Sequence, residues 1–338
     1  MRLANVDGAI PRHGYRGASI FATPGPTAAA SGCAGAGRPG PNGRAPAILA
    51  WAARVPDRAF QVLPQQLCGR RPQSTVTLGR VDFASVELNL RTSFRVVAAG
   101  RGGGEVRELP GVSIASAGVA FQMFNAAFLS APVASETDLA RRLLLAMTHF
   151  RARGLEWAFW VCEGWLARGA QKRARQVLQS HGLRHSVDLP GMEARAVLPP
   201  EHPLPELEVR RVEGGSSRDD FCAIGSVCFN VPIAWFREVF EGPSVWTSFE
   251  AWVGYRNREP VSTTAVVVGG DALGVYNVAT LPGHQRRGYG EAVMRHALDD
   301  ARRRHGIERS ILQSTPAGFR LYRRMGYRTV TTVSVYAS

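Results

Sequence analysis

The stretch Val275-Tyr-Asn-Val-Ala-Thr-Leu-Pro-Gly-His-Gln-Arg-Arg-Gly-Tyr-Gly290 contains a change from one hydrophobic pattern to another. Residues 275–280 are mostly apolar and β-branched, and a Pro-Gly pair follows them, which predicts a strand that runs into a loop. After Gly288 and Gly290, apolar residues recur every fourth position from Val293 to Ala301. The stretch therefore predicts a strand, a glycine-rich loop and a helix in succession.

A helix that begins at a glycine-rich loop is suited to bind phosphate groups. Its first turn leaves backbone N–H groups unpaired, and its dipole attracts negative charge. Glycine at positions 288 and 290 has no Cβ atom to hold a ligand away from those groups. A dinucleotide-binding loop would need a third glycine where this chain has Val293, and a P-loop would need Gly-Lys-Ser or Gly-Lys-Thr. For this motif alone, a simple connecting turn is the alternative.

Between Arg309 and Tyr336 the chain predicts a strand, a short helix that ends before a glycine, and a final alternating strand. In this setting Gln285-Arg-Arg-Gly-Tyr-Gly290 and Leu321-Tyr-Arg-Arg-Met-Gly-Tyr327 resemble two motifs of the GNAT acyltransferase superfamily. The first resembles its Q/R-x-x-G-x-G/A acyl-CoA loop and the second its LYxxxGF segment, in the same order. The resemblance covers residues 207–338. It implies an α/β (α+β) fold with a mixed central sheet flanked by helices.

The resemblance also implies which residues bind acyl-CoA. In this superfamily two neighbouring parallel strands separate, and the pantetheine arm of acyl-CoA lies between them. The matching positions are the strand backbone at Val278, Ala279 and Thr280, the loop residues Gln285, Arg286, Arg287, Gly288, Tyr289 and Gly290, and Ser314 on the next strand. An arginine suits the loop because its planar guanidinium matches phosphate oxygens. The alternative for each arginine is a solvated surface charge.

Tyr322 matches the position at which the superfamily places the acid that protonates the departing thiolate. A free phenol titrates near about 10 and a free thiol near about 8.5, so the transfer needs a site that disfavours a buried thiolate. Packing in the core is the alternative role for this ring. Glu250 and His284 are candidates for the base, and water or an acceptor that arrives neutral would serve equally. The cysteines and histidines show no metal-ligand spacing, so no metal site is predicted.

The chain before residue 207 repeats the order of the predicted elements. Arg153-Gly-Leu-Glu156 and His305-Gly-Ile-Glu308 each precede a predicted strand. His181-Gly-Leu-Arg184 and Met325-Gly-Tyr-Arg328 each follow a predicted helix. These correspondences predict two GNAT-like halves in tandem.

The first half departs from the superfamily at the cofactor motif. It has no Q/R-x-x-G-x-G sequence, and Leu178 stands where the second half has Tyr322. We therefore predict a disordered Gly/Pro/Ala/Arg-rich tail (1–75), a degenerate GNAT-like domain (76–197), a Pro-rich linker (198–206) and an N-acetyltransferase domain (207–338).

Together these motifs predict an N-acetyltransferase that moves an acetyl group from acetyl-CoA, its co-substrate, to a primary amine. The amine would attack the thioester directly in a ternary complex. The alternative is a non-catalytic acyl-CoA-binding module with a regulatory role, since one half already lacks the motif. The sequence does not identify the amine acceptor.

Residues 112–135 contain no charged side chain, and the stretch is long enough for a membrane helix. Gln122, Asn125 and Pro132 argue against one, and parts of the stretch alternate as a strand does. No membrane association is predicted. The next residues, 136–152, predict an amphipathic helix.

The net charge of +14 raises the possibility of a nucleic-acid partner. Ten arginines but only two acidic residues fall within the first 80 residues, so much of this charge lies in the tail. Lys172 is the only lysine, a bias typical of a GC-rich genome, and we expect a bacterial protein. The five cysteines form no C-x-x-C pair, which suits a reducing cytoplasm. Nucleic-acid binding is therefore the third and weakest hypothesis.

Overall fold

The computed structural model describes residues 83–338. The predicted disordered tail (1–75) and the first residues of the predicted first domain (76–82) lie outside the described residues. We call residues 83–197 the first half and residues 207–338 the second half. Seven α-helices lie in the described part: α1 (Phe83–Ala99), α2 (Glu136–Arg151), α3 (Arg168–Ser180), α4 (Gly215–Phe229), α5 (Ile233–Val239), α6 (Tyr289–His305) and α7 (Pro316–Arg324).

Eleven strands of the same residues form a single sheet, in the order β1-β2-β3-β4-β11-β5-β10-β9-β8-β7-β6. The strands are β1 (Glu105–Leu109), β2 (Val112–Ser116), β3 (Asn125–Leu129), β4 (Ala158–Cys162), β5 (Arg184–Ala194), β6 (Glu208–Arg211), β7 (Glu250–Arg256), β8 (Glu259–Gly269), β9 (Ala272–Thr280), β10 (Ser310–Gln313) and β11 (Arg328–Ala337). The pairs β3–β4 and β9–β10 are parallel and the others antiparallel. The predicted mixed sheet flanked by helices is confirmed.

The two halves exchange their last strands at the centre of the sheet. β11, from the second half, lies between β4 and β5 and runs antiparallel to both. β5, from the first half, lies between β11 and β10. The parallel pairs β3–β4 and β9–β10 therefore occupy matching places on the two sides of the exchange. Neither half can complete its part of the sheet with its own strands.

The helix α6 shows how the local pattern builds an element. Val293, Ala297 and Ala301 are fully buried against the sheet, as their spacing predicts. Gly306 ends the helix with φ +66°, a left-handed conformation that glycine adopts at low cost. Four basic residues occupy the last turn, where the helix dipole favours positive charge.

Polar side chains also hold the first half against the second. Asn89 of α1 is completely buried, and its Nδ2 donates hydrogen bonds to carbonyl oxygens of β8 and β9, including Ala272 at 2.8 Å. Its Oδ1 accepts a hydrogen bond of 2.7 Å from the Tyr276 hydroxyl. On β5, the buried Glu193 carboxylate forms ion pairs with Arg309 and Arg328. Because buried polar groups need partners, these contacts fix the relative position of the halves.

The uncharged stretch 112–135 forms β2, β3 and a short 3₁₀ turn rather than a helix. None of the helices between residues 83 and 338 is long and apolar enough to cross a membrane.

Candidate active site

β9 and β10 separate soon after they meet. They pair at Leu273–Ser310 and Gly274–Ile311, and beyond this point the described residues show no pairing between them. β9 continues to Thr280, so the backbone edge of its last residues faces the gap instead of a strand.

A bulge in β9 accompanies this separation. Asn277 has φ +50°, and the register between β8 and β9 shifts around it. The Thr263 hydroxyl donates a hydrogen bond of 2.8 Å to the Asn277 carbonyl and so fixes the bulge to β8. A bulge bends its strand, which turns the end of β9 away from β10. The predicted residues Val278 and Thr280 are partly exposed here, whereas the Ala279 side chain is buried.

The glycine-rich loop brings the first turn of α6 beside the end of β9. Gly288 precedes the helix with φ +82°, and as a glycine it has no side chain with which to cap the helix. The first N–H groups of α6 are therefore left for a ligand. Gln285 Nε2 donates a hydrogen bond of 3.1 Å to the Thr280 carbonyl and ties the loop to the strand. A Cβ atom at Gly290 would lie 3.1 Å from Thr280 Oγ1, so glycine permits the close approach of strand and helix.

The side chains of the loop provide positive charge. Arg286 and Arg287 are exposed, and no carboxylate among residues 83–338 forms an ion pair with either. Tyr289 is buried with its ring 6.2 Å from the ring of His284. His284 Nδ1 is buried and has no hydrogen-bond partner in the described part of the chain. The unpaired N–H groups and two free guanidinium groups suit a pyrophosphate.

A cavity of about 300 Å³ opens into the gap between β9 and β10. Val278 of β9, Gln313 of β10, and Thr315 and Tyr322 at α7 are among its lining residues. Its other walls come largely from apolar side chains of α1, of β5, of the 3₁₀ turn before β3 and of the segments around α4 and α5, and from Trp160 on β4. The first half therefore supplies much of a cavity that the second half opens.

Tyr322 lies at the junction of the cavity and the core. Its side chain is 8% exposed and lines the cavity, and its ring packs 6.0 Å from that of Tyr327. Its hydroxyl forms no hydrogen bond with any residue of the described chain. Burial raises the pKa of Tyr322 well above its usual range, so the hydroxyl keeps its proton. A Cβ atom at Gly318 would lie 2.6 Å from the Tyr322 ring, so this glycine makes room for it.

Comparison with known proteins identifies the domain that carries these features. Residues 247–329 match the sequence model of the acetyltransferase (GNAT) domain, and this range includes the separated strands, the glycine loop and Tyr322. Over these residues the chain is similar to a GNAT acetyltransferase domain. Such a domain supports a general acyltransferase activity. Among curated proteins, no sequence matches the chain significantly.

Solved structures share the fold of both halves. A GCN5-related N-acetyltransferase from Kribbella flavida is similar with 18% identity and a TM-score of 0.56, over 75% of this chain and 96% of that one. A conserved protein of unknown function from Staphylococcus epidermidis has 11% identity and a TM-score of 0.52, over 70% and 94% of the two chains. These alignments cover more of the chain than the second half alone could supply.

Two other residues of the GNAT domain lie away from the cavity. The Ser314 side chain is fully buried, and its hydroxyl donates a hydrogen bond of 2.9 Å to the Thr315 carbonyl. Glu250 contacts Arg304 and His305 at the end of α6 opposite the glycine loop. Burial alone would raise the pKa of Glu250, but these partners hold it below its usual value. Glu250 does not line the cavity, so its position does not suit the role of base.

The corresponding helix start in the first half is already occupied by protein groups. The Ser135 hydroxyl accepts a hydrogen bond of 3.2 Å from the Asp138 N–H and caps α2. Glu136 and Asp138 add negative charge at this end, where a phosphate would otherwise bind. The Arg142 guanidinium donates bonds of 2.6 Å to the carbonyls of Ala131 and Pro132. The start of α2 therefore lacks the positive charge and the free N–H groups that are found at the Gly288 turn.

The sequence analysis missed two contributors to the site. Asn277 creates the bulge, and asparagine is one of the few residues besides glycine that adopt positive φ readily, so its place in a β-branched run was a usable signal. Phe94 and Trp160 of the first half line the cavity, although both are far in sequence from the glycine loop and Tyr322. No local pattern marks those two residues as cavity residues.

Proposed function

We propose that the protein is an N-acetyltransferase that transfers an acetyl group from acetyl-CoA to a primary amine by direct attack within a ternary complex. The observation that carries the proposal is the shared position of three features. The free edge of β9, the uncapped turn at Gly288 and the Tyr322 hydroxyl all border one gap in the sheet.

The residues of this gap fit acetyl-CoA in both charge and shape. The backbone of Val278, Ala279 and Thr280 would pair with the amides of the pantetheine arm. The first N–H groups of α6, with Arg286 and Arg287, would hold the pyrophosphate. The fit rests on an uncapped helix end whose neighbouring arginines have no carboxylate partner within residues 83–338. Acetyl-CoA supplies an acetyl group that is activated as a thioester.

In the proposed reaction, Tyr322 supplies the proton that the departing sulfur takes up. The neutral amine forms a bond to the acyl carbon, the carbon–sulfur bond breaks, and the electron pair leaves on sulfur. Tyr322 gives its proton to that sulfur, and the proton lost by the amine restores the tyrosine. The cavity shields the thiolate from water and so disfavours its charge, which brings the proton affinity of the sulfur toward that of the buried phenol.

We infer further that the two halves (76–197 and 207–338) are GNAT-like domains joined by the linker 198–206, and that the first is degenerate. The matching parallel pairs β3–β4 and β9–β10 support the repeat. The Ser135 cap and the acidic first turn of α2 support the absence of a cofactor site in the first half. The presence of this enzyme in a bacterial cytoplasm belongs to the same proposal.

Calorimetric titration of the full chain with acetyl-CoA, followed by an assay of CoA release with a panel of amines, tests the proposal. We expect one acetyl-CoA per chain and release that depends on an amine. Two sites per chain would refute the degenerate first half. Binding without amine-dependent release from any amine would favour the regulatory acyl-CoA-binding module instead. Absence of binding would refute the proposed function.

A further inference from the structure

The cavity beside Tyr322 has an unusual lining for a site that receives an amine. Among residues 83–338, none that lines the cavity is Asp, Glu, Lys, Arg or His. Most are aromatic or aliphatic, including Phe94, Phe124 and Phe240. An ammonium ion moved into such a cavity would lose its hydration without gaining a carboxylate partner, which is strongly unfavourable. The lining supplied by the described part of the chain also contains no carboxylate or imidazole to remove a proton from the amine.

The few polar side chains of the lining differ in whether they are already satisfied. The Ser93 hydroxyl donates to the Leu90 carbonyl at 2.7 Å, and the Tyr276 hydroxyl donates to Asn89. Gln313 Nε2 and the Trp160 indole N–H, in contrast, are buried without a partner in the described chain. Because these two nitrogens have almost no accessible surface, neither reaches the open space of the cavity, and the surface that a ligand would meet there is mainly aromatic and aliphatic.

We infer that the acceptor of the proposed acetyl transfer is a mainly aromatic, weakly basic amine that enters uncharged. This inference rests on the proposed function and names the substrate class of the same site. An arylamine is neutral at physiological pH, so it needs no base before attack. Its nitrogen forms the bond to the acyl carbon, sulfur leaves with the electron pair, and the proton exchange through Tyr322 balances the reaction.

Two amines that differ by one methylene group test the charge requirement. 4-Phenoxyaniline is neutral at pH 7, whereas 4-phenoxybenzylamine is almost wholly cationic, as alkylamines are. Acetyl-CoA binding is measured first, so that failure of the proposed function is recognised separately. We expect the CoA-saturated protein to bind 4-phenoxyaniline at least about tenfold more tightly at pH 7 and to acetylate it with acetyl-CoA. The difference should shrink as the pH approaches 9 and neutral benzylamine accumulates.

Several results would overturn the inference. Equal or tighter binding of the benzylamine at pH 7 would show that the site accepts a cation. Acetyl-CoA binding without acetylation of 4-phenoxyaniline would reject this acceptor class while leaving the cofactor site intact. A preference for decanoyl-CoA over acetyl-CoA, with no discrimination between the amines, would assign the cavity to the acyl chain.

Discussion

The Tyr322→Phe variant, which lacks only the hydroxyl oxygen, should transfer the acetyl group more slowly without a loss of folding stability. The hydroxyl lines the cavity and forms no hydrogen bond with any described residue, so its loss leaves no buried group unpaired. General acids typically contribute about 10² to 10⁴ in rate, and a thiolate is a good leaving group, so we expect kcat to fall about a hundredfold. This corresponds to about 2.7 kcal/mol of barrier. The Kd for acetyl-CoA should stay within about twofold.

Tyr327→Phe is the control for this experiment. The Tyr327 ring lies beside the Tyr322 ring, but its hydroxyl is hydrogen-bonded, whereas that of Tyr322 is not. The fully buried Tyr327 hydroxyl is within 2.7 Å of the Ser310 hydroxyl, which would lose its partner. A buried unpaired hydroxyl costs about 1–2 kcal/mol, so Tm should fall by about 2–6 °C while kcat changes little. Steady-state assays of CoA release and thermal unfolding of both variants separate the two effects.

The pH profile adds a second test of Tyr322. Burial raises the pKa of this tyrosine, so its acid form persists to higher pH than that of a free phenol. With a neutral amine, kcat should therefore show no fall below about pH 10 that depends on Tyr322. Unchanged kcat in Tyr322→Phe, or a basic limb below that pH which disappears in the variant, would remove Tyr322 from the role of acid.

Three further changes test the loop and the strand exchange. Gly288→Ala should lower Tm and acetyl-CoA affinity, because φ +82° costs a side chain about 1–2 kcal/mol and the new Cβ would lie 3.0 Å from Pro205; Gly283→Ala, whose Cβ meets nothing within 4 Å, should leave Tm unchanged. Replacing Arg286 and Arg287 by alanine should raise the Kd for acetyl-CoA about tenfold to a hundredfold by calorimetry and reduce its salt dependence, with Tm unaffected. Deleting residues 328–338 removes β11 from between β4 and β5, so circular dichroism should show both halves unfolded; a first half that stays folded would contradict the exchange.

The sequence predicted the elements whose signals are local. The apolar spacing of α6, the glycine before it and Gly306 after it act within a few residues of each other, and the structure has a helix from Tyr289 to His305. The same holds for α2, predicted over 136–152 and observed as Glu136–Arg151. Ser135 caps this helix through its own side chain, a preference that depends only on neighbouring residues.

The order of the strands in the sheet could not be predicted from such local signals. The tandem repeat predicts two halves, but nothing in the residues of β5 or β11 states which strand each will pair with. Val335 pairs with Trp160 on one side and Val187 on the other, both far away in sequence. Strand pairing is decided by side-chain packing across the sheet and not by a local preference. The walls of the cavity depend on the same exchange and were therefore outside the reach of local patterns.

The exchange also explains why a half without a cofactor motif is still part of the site. β10 pairs with β9 on one side and with β5 on the other. Because β5 belongs to the first half, that half supports the strand that faces the proposed acyl-CoA gap. Asn89 fixes α1 to β8 and β9, and this places Phe94 over the cavity. The second half thus carries the groups proposed to bind and cleave the thioester, while the first half shapes the space for the acceptor. New side chains in the first half, at positions such as Phe94 and Trp160, would therefore change the proposed acceptor space, which they share with lining residues of the second half.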